Sequence, residues 1–95
     1  MDPHEVIIAP VLTEKANLLR EKENKYVFRV DARANKLEIK QAIRELFSVE
    51  PVACNVVRVK GKPKRMRRQP GRTSSWKKAV ITLPPGQSID IFESA

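Results

Sequence analysis

Apolar positions along the chain follow two different periods. Period-two alternation favours strands at about residues 25–31 and 77–83. A valine-rich run favours another at 52–60, and a short apolar run before Pro10 favours a first one at 5–8. Alternation also predicts which side chains share an inward face: Tyr26, Phe28 and Val30 on the second strand, and Ala79, Ile81 and Leu83 on the last. Pro84-Pro85-Gly86 predicts a turn, with a short extension over residues 88–92.

Two stretches between these strands have helical spacing. A first helix is predicted from the N-cap candidate Thr13 to about residue 22, with Leu12, Ala16 and Leu19 on one side. The second, over residues 35–47, repeats apolar side chains at i, i+3, i+4, i+7 and i+8. Asn35 is its predicted cap, and Glu38 stands where a capping box needs a carboxylate.

The predicted order is therefore β-α-β-α-β-β. This order indicates an α+β fold in which an antiparallel sheet packs on helices. The 95 residues suffice for one domain, expected over 1–95, with an extended basic hairpin arm at about 58–78. The connection at 61–76 is long for so small a domain, and connections of that length are mostly functional.

The positive charge of the chain is concentrated in that arm. The net charge is +8, yet residues 1–57 hold nine Lys/Arg and nine Asp/Glu. Residues 58–78 contain no acid and ten cations: Arg58, Lys60, Lys62, Lys64, Arg65, Arg67, Arg68, Arg72, Lys77 and Lys78. A block of one sign repels itself and gains by binding a polyanion, whose counterions it releases. The pattern predicts an RNA-binding arm, in preference to a merely solvated face.

Two other features leave alternatives open. Trp76 closes the basic arm, where its ring could stack on a base or pack at the base of the hairpin. The second helix carries Lys36, Lys40 and Arg44 one turn apart, which fits either an RNA contact or a solvated helix face.

Catalytic and metal sites have little support. Three scattered glycines form no phosphate loop, and no cysteine/histidine cluster has metal spacing, so no cofactor, metal or small-molecule substrate is expected. Cys54 fits a small buried apolar residue better than a reactive thiol. With neither a signal peptide nor an apolar stretch of membrane length, we expect a cytoplasmic protein that does not insert into membranes. A free-standing DNA or mRNA regulator is the competing class, although no helix-turn-helix or zinc spacing favours it.

Three blocks stand in order along the chain: VIIAPVLTEKA at residues 6–16, NKYVFRVDARANKLEIKQAI at 24–43 and VVRVKGKPKRMRRQPGRTSSWKKAVITL at 56–83. Together they resemble one known family, the universal large-subunit ribosomal protein number twenty-three, in its bacterial form. The resemblance covers about residues 5–92. The long arginine-rich loop is similar to that of the bacterial branch, whereas the archaeal and eukaryotic branch has a shorter one.

This resemblance implies a structural protein of the large ribosomal subunit that binds 23S rRNA near the exit of the nascent-peptide tunnel. Neighbouring large-subunit proteins, trigger factor, the signal recognition particle and the translocon are the implied partners. The glutamate of the TEK motif, here Glu14, is the implied chaperone contact. The implied RNA-facing residues are Asn35, Lys36, Lys40, the lysines from Lys60 through Lys64, Arg65, Arg68, Arg72, Trp76, Lys77 and Lys78.

Overall fold

The computed structural model describes residues 2–60 and 75–90, and it confirms the α+β class with a four-stranded antiparallel sheet. One short helix that was not predicted precedes the first strand. In chain order the elements are α1 (Pro3–Val6), β1 (Ile7–Pro10), α2 (Glu14–Glu23), β2 (Lys25–Val30), α3 (Lys36–Phe47), β3 (Ala53–Val59) and β4 (Trp76–Thr82).

The strand order in the sheet is β1-β2-β4-β3, with every neighbouring pair antiparallel. The central pair joins β2 to β4, which stand far apart in the sequence, so β1 and β3 form the edges. Six residues of β2 pair with β4, from Lys25 opposite Thr82 to Val30 opposite Lys77. The β3–β4 pair runs from Ala53 opposite Thr82 to Val59 opposite Trp76. Both central strands therefore reach the end of the sheet where the basic arm begins.

The core lies between one face of the sheet and α3. Ile39 and Ile43 of α3 are fully buried against Phe28 and Ile81 of the sheet. The rings of Phe28 and Phe47 stack with their centroids 5.6 Å apart. This arrangement confirms the inward face predicted from alternation, and Ala79 and Leu83 are buried with it.

The predicted first strand was wrong at its beginning. Residues 3–6 form a helical turn, because Asp2 caps it and Pro3 has the backbone angle that suits a first helical position. The Asp2 carboxylate accepts a hydrogen bond from the His4 backbone N–H at 2.9 Å. The strand then continues through Pro10, which an edge strand tolerates although proline has no N–H to donate.

Helix α2 begins at the predicted cap, where the Thr13 hydroxyl accepts a hydrogen bond from the Ala16 backbone N–H at 3.1 Å. Its predicted apolar side was only partly right, since Ala16 is buried whereas Leu12 is 53% exposed. Helix α2 instead contacts β2, where Val27 is buried although it points away from the core face. The helix ends at Asn24, in the left-handed conformation that asparagine tolerates.

The end of the described chain forms the predicted turn but no further strand. Gly86 has a φ of 93°, which favours glycine, and the Gln87 backbone N–H donates to the Pro84 carbonyl at 3.2 Å. Residues 88–90 have no regular structure, although Ile89 is buried, and the rest of the predicted extension lies outside the described residues. The Asn24 amide donates to the carbonyl oxygens of Leu83, Pro84 and Gln87, which fixes this turn to the end of α2.

Candidate nucleic-acid interface

The predicted RNA-binding residues fall into two groups. Those in the middle of the basic arm lie outside the described residues: Lys62, Lys64, Arg65, Arg67, Arg68 and Arg72. The others stand on two elements, the β3–β4 hairpin and the first turns of α3: Arg58, Lys60, Trp76, Lys77, Lys78, Asn35, Lys36 and Lys40. The structure shows how this second group is arranged.

The base of the hairpin presents cations on both faces of the sheet. Arg58 lies opposite Lys77, and the next pair along the strands joins Val57 to Lys78. Because side chains alternate along a strand, Arg58 and Lys77 point to the α3 side, whereas Lys78 points to the opposite side. Cations therefore lie on both faces of the sheet where the arm begins, and RNA can bind to either face there.

Lys77 joins the hairpin to α3. Its ammonium group donates hydrogen bonds to the carbonyl oxygens of Ala34 at 2.7 Å and Ala32 at 3.2 Å. These residues immediately precede Asn35 and Lys36, so the start of α3 is held beside the base of the basic arm. Two groups of predicted RNA-binding residues that are distant in the sequence thus belong to one region of the surface.

The predicted capping box of α3 is confirmed. Asn35 Oδ1 accepts from the Glu38 backbone N–H at 2.8 Å, and Glu38 Oε1 accepts from the Asn35 backbone N–H at 3.1 Å. The side-chain oxygen of Asn35 is therefore occupied by the helix, which leaves its amide nitrogen to reach outward. An RNA contact by Asn35 would have to use that donor.

The three cations along α3 differ in whether they have an ion-pair partner. Arg44 forms an ion pair with Glu50, with Nε and Oε1 3.0 Å apart. Lys36 is exposed and Lys40 half-buried, and neither has an ion-pair partner within residues 2–60 and 75–90. The positive charges of both lysines act on the Cys54 thiol of β3. Lys36 and Lys40 can therefore bind a phosphate, whereas Arg44 is already paired with Glu50.

Cys54 is 7% exposed, in agreement with the small buried apolar residue expected. Burial raises the pKa of its thiol, and the positive charges of Lys36 and Lys40 oppose that rise. A raised pKa disfavours the thiolate, which is the reactive form. The part of the chain that the structure describes has no group of three His, Cys, Asp or Glu residues placed to hold a metal. It also has no helix long and apolar enough to cross a bilayer.

Arg29 joins this region although no sequence pattern singled it out. The guanidinium carbon lies 5.3 Å from the centroid of the Trp76 ring, within the range of a cation–π interaction. Trp76 is half-buried and pairs with Val59 at the base of the hairpin, so it has a structural role there. The contact depends on the register between β2 and β4, and a single sequence carries no local signal for that register.

Glu14 occupies the first turn of α2, where a carboxylate interacts favourably with the helix dipole. Its side chain is exposed. Leu18 is 48% exposed one turn further along the same side of the helix, and Leu12 is 53% exposed two residues before. Glu14 is therefore an accessible acid beside apolar side chains that the fold leaves in solvent.

Comparison with known proteins supports the family resemblance that the three sequence blocks indicated. The sequence profile of the family described as Ribosomal protein L23 matches residues 5–91. The chain is 53% identical over 95 residues to the large ribosomal subunit protein uL23 of Treponema denticola, and 54% identical to that of Treponema pallidum strain Nichols. The protein of the same name from Roseiflexus castenholzii is 50% identical over 96 residues. All three alignments cover the whole of both chains.

Proposed function

This chain belongs to the ribosomal protein L23 family, and we propose that it binds 23S rRNA at the exit of the nascent-peptide tunnel through its basic arm and the adjoining start of α3. Family membership makes it a structural, non-enzymatic constituent of the large subunit of the cytoplasmic ribosome. Its partners there are rRNA and neighbouring ribosomal proteins.

One observation carries the proposal: ten cations without an acid lie at residues 58–78, and the fold places further cations beside them. The Lys77 bonds to Ala32 and Ala34 bring Lys36 next to the base of the arm. A phosphate backbone following the arm would therefore meet α3 as well. Each phosphate neutralised releases counterions, so binding should weaken steeply as salt is added.

The test is the salt dependence of binding between the full-length protein and transcribed 23S rRNA. The variant replaces Arg65, Arg67 and Arg68 with alanine. We expect weaker binding and a log–log salt slope shallower by about 2, as expected when up to three phosphate contacts are lost. A control variant replaces Lys15 and Lys22, two exposed cations of α2, and should bind like the wild type. An unchanged slope in the arginine variant would exclude phosphate contacts by those three residues.

We further propose that Glu14 is part of a docking site for trigger factor, with the signal recognition particle and the translocon as other users of the same surface. The supporting observation is the exposed carboxylate beside the exposed Leu12 and Leu18. Exposed apolar patches that are rimmed by polar residues are typical of partner-binding surfaces. The carboxylate would give the dock charge specificity, and the leucines would supply buried area.

A further inference from the structure

The sheet has a second face, turned away from α3, and part of it is open near the base of the hairpin. Helix α2 contacts β2, and its buried residue is Ala16. Further along the same face, Val57 is 44% exposed and Arg29 and Asn55 are exposed. Together with Trp76 and Lys78, these three residues are called the open face below. They come from three neighbouring strands, so the surface is rigid.

The open face carries two positive charges that stand opposite each other. Arg29 and Lys78 lie directly opposite each other on β2 and β4. Like charges in such a cross-strand pair repel each other and destabilise the sheet. Strands β2, β3 and β4 contain no Asp or Glu. Within the described ranges, neither Arg29 nor Lys78 forms an ion pair or a hydrogen bond to a side chain. An anion between the two side chains would remove the repulsion.

Trp76 supplies the other half of a nucleotide site. Arg29 holds its ring through the 5.3 Å cation–π contact, and Val57 and Val59 lie on the neighbouring strand. Cations that bind phosphates beside an ordered aromatic ring and apolar side chains form the usual surface for single-stranded RNA. The ring is half-buried, so it can cover a ribose or base with little further loss of freedom.

We propose that the open face is a second RNA-binding surface, on which Arg29 and Lys78 bind a phosphate and Trp76 covers the adjoining nucleotide. The proposal rests on the rRNA-binding function proposed above and adds a site on the opposite side of the sheet from Lys36, Lys40 and Arg58. The rRNA then contacts both faces of the sheet at the base of the arm.

Continuity with the basic arm favours RNA over an acidic protein as the occupant. Trp76 and Lys78 are among the last three residues of the block at 58–78, and Trp76 pairs with Val59 where the arm leaves the sheet. An RNA bound by this block at its described end therefore lies next to the open face. An acidic protein surface would instead be expected to require a larger apolar area than the single exposed Val57 offers.

Trp76 is the only tryptophan of the chain and therefore reports on its own site. The first measurement is acrylamide quenching of Trp76 fluorescence in the full-length protein, free and bound to transcribed 23S rRNA. We expect strong protection on binding. The second is the affinity of Arg29→Gln and Lys78→Gln, each expected to bind about fivefold more weakly, with a salt slope smaller by about 1. Lys22→Gln is the charge-matched control, because Lys22 lies at the far end of α2, near the opposite end of the sheet.

The outcomes separate this inference from the proposed function. Failure of the wild-type protein to bind 23S rRNA would overturn both. Normal binding, with Trp76 still accessible and both variants equal to Lys22→Gln, would overturn only the open-face proposal. Protection of Trp76 that appears only after other large-subunit proteins are added would overturn it in favour of a protein neighbour. Protection in the binary complex, together with weaker binding by both variants, supports the assignment.

Discussion

The ammonium nitrogen of Lys77 lies 2.7 Å from the carbonyl oxygen of Ala34 and donates a hydrogen bond to it. The two residues are separated by 43 positions in the chain. A second bond, to the Ala32 carbonyl, fixes the same lysine at 3.2 Å. Lys77 therefore fastens the last strand to the loop before α3, and only one of its three N–H donors remains for RNA.

Replacing Lys77 with methionine should lower the free energy of unfolding by about 1–2 kcal/mol, because two carbonyl oxygens lose a charged donor. Urea denaturation followed by circular dichroism measures the change. Lys78→Met is the matched control, since Lys78 has no such bond in the described structure, and its effect should stay within about 0.5 kcal/mol. Equal stability of the two variants would show that the Lys77 bonds contribute nothing to folding.

Asn35 caps α3 and is also a predicted RNA contact, and substitutions can separate these two roles. Asn35→Ala removes the cap of α3 and should destabilise the protein by about 1 kcal/mol. Asn35→Asp retains an oxygen that accepts from the Glu38 backbone N–H, so its unfolding free energy should match the wild type. The same variant adds a negative charge beside Lys36 and should weaken binding to 23S rRNA. Wild-type rRNA affinity in Asn35→Asp would place the RNA away from the start of α3.

Asp31 provides a prediction about pH. Hydrogen bonds from the Arg33 side chain, and then from its backbone N–H, lower the pKa of the Asp31 carboxyl. A lowered pKa means that the ionised form stabilises the fold above the ordinary pKa of aspartate, and that this contribution is lost as pH falls through the folded-state pKa.

NMR of the Asp31 carboxyl carbon during an acid titration should therefore give a pKa below the ordinary value for aspartate. Arg33→Gln removes the guanidinium donors but keeps the backbone N–H. Its Asp31 pKa should rise part of the way towards the ordinary value. An identical titration curve in the variant and the wild type would exclude the guanidinium as the main cause.

Glu14→Ala should spare assembly into large subunits but weaken trigger factor docking by about tenfold, which is the effect of an interface residue worth about 1.4 kcal/mol. Equilibrium binding of labelled trigger factor to ribosomes that carry the variant measures this. Glu45→Ala, which removes an exposed carboxylate of α3, is the control and should leave docking unchanged. Docking as tight as on wild-type ribosomes would remove Glu14 from the proposed site.

Features that depend on near neighbours in the chain could be predicted from the sequence. The capping box of α3, the Thr13 cap and the inward face of β4 each follow from residues within a few positions of one another. The turn at Gly86 is of the same kind. The basic segment could also be predicted from the sequence, because a run of cations without acids can be recognised without knowledge of the fold. The sequence alone therefore determined the order of the main elements and the position of the basic segment at residues 58–78.

Tertiary structure decided the features that depend on which strands become neighbours. The β2–β4 register places Arg29 opposite Lys78 and beside Trp76, and the same fold sets Lys77 against Ala34. It also decided that Val27 is buried beneath α2 whereas Leu12 is exposed. Alternation along β2 and along β4 shows which face of each strand is buried, but it does not show which strand is the partner or which residues stand opposite each other. For that reason the sequence located the basic arm, and only the folded sheet revealed the open face at its base.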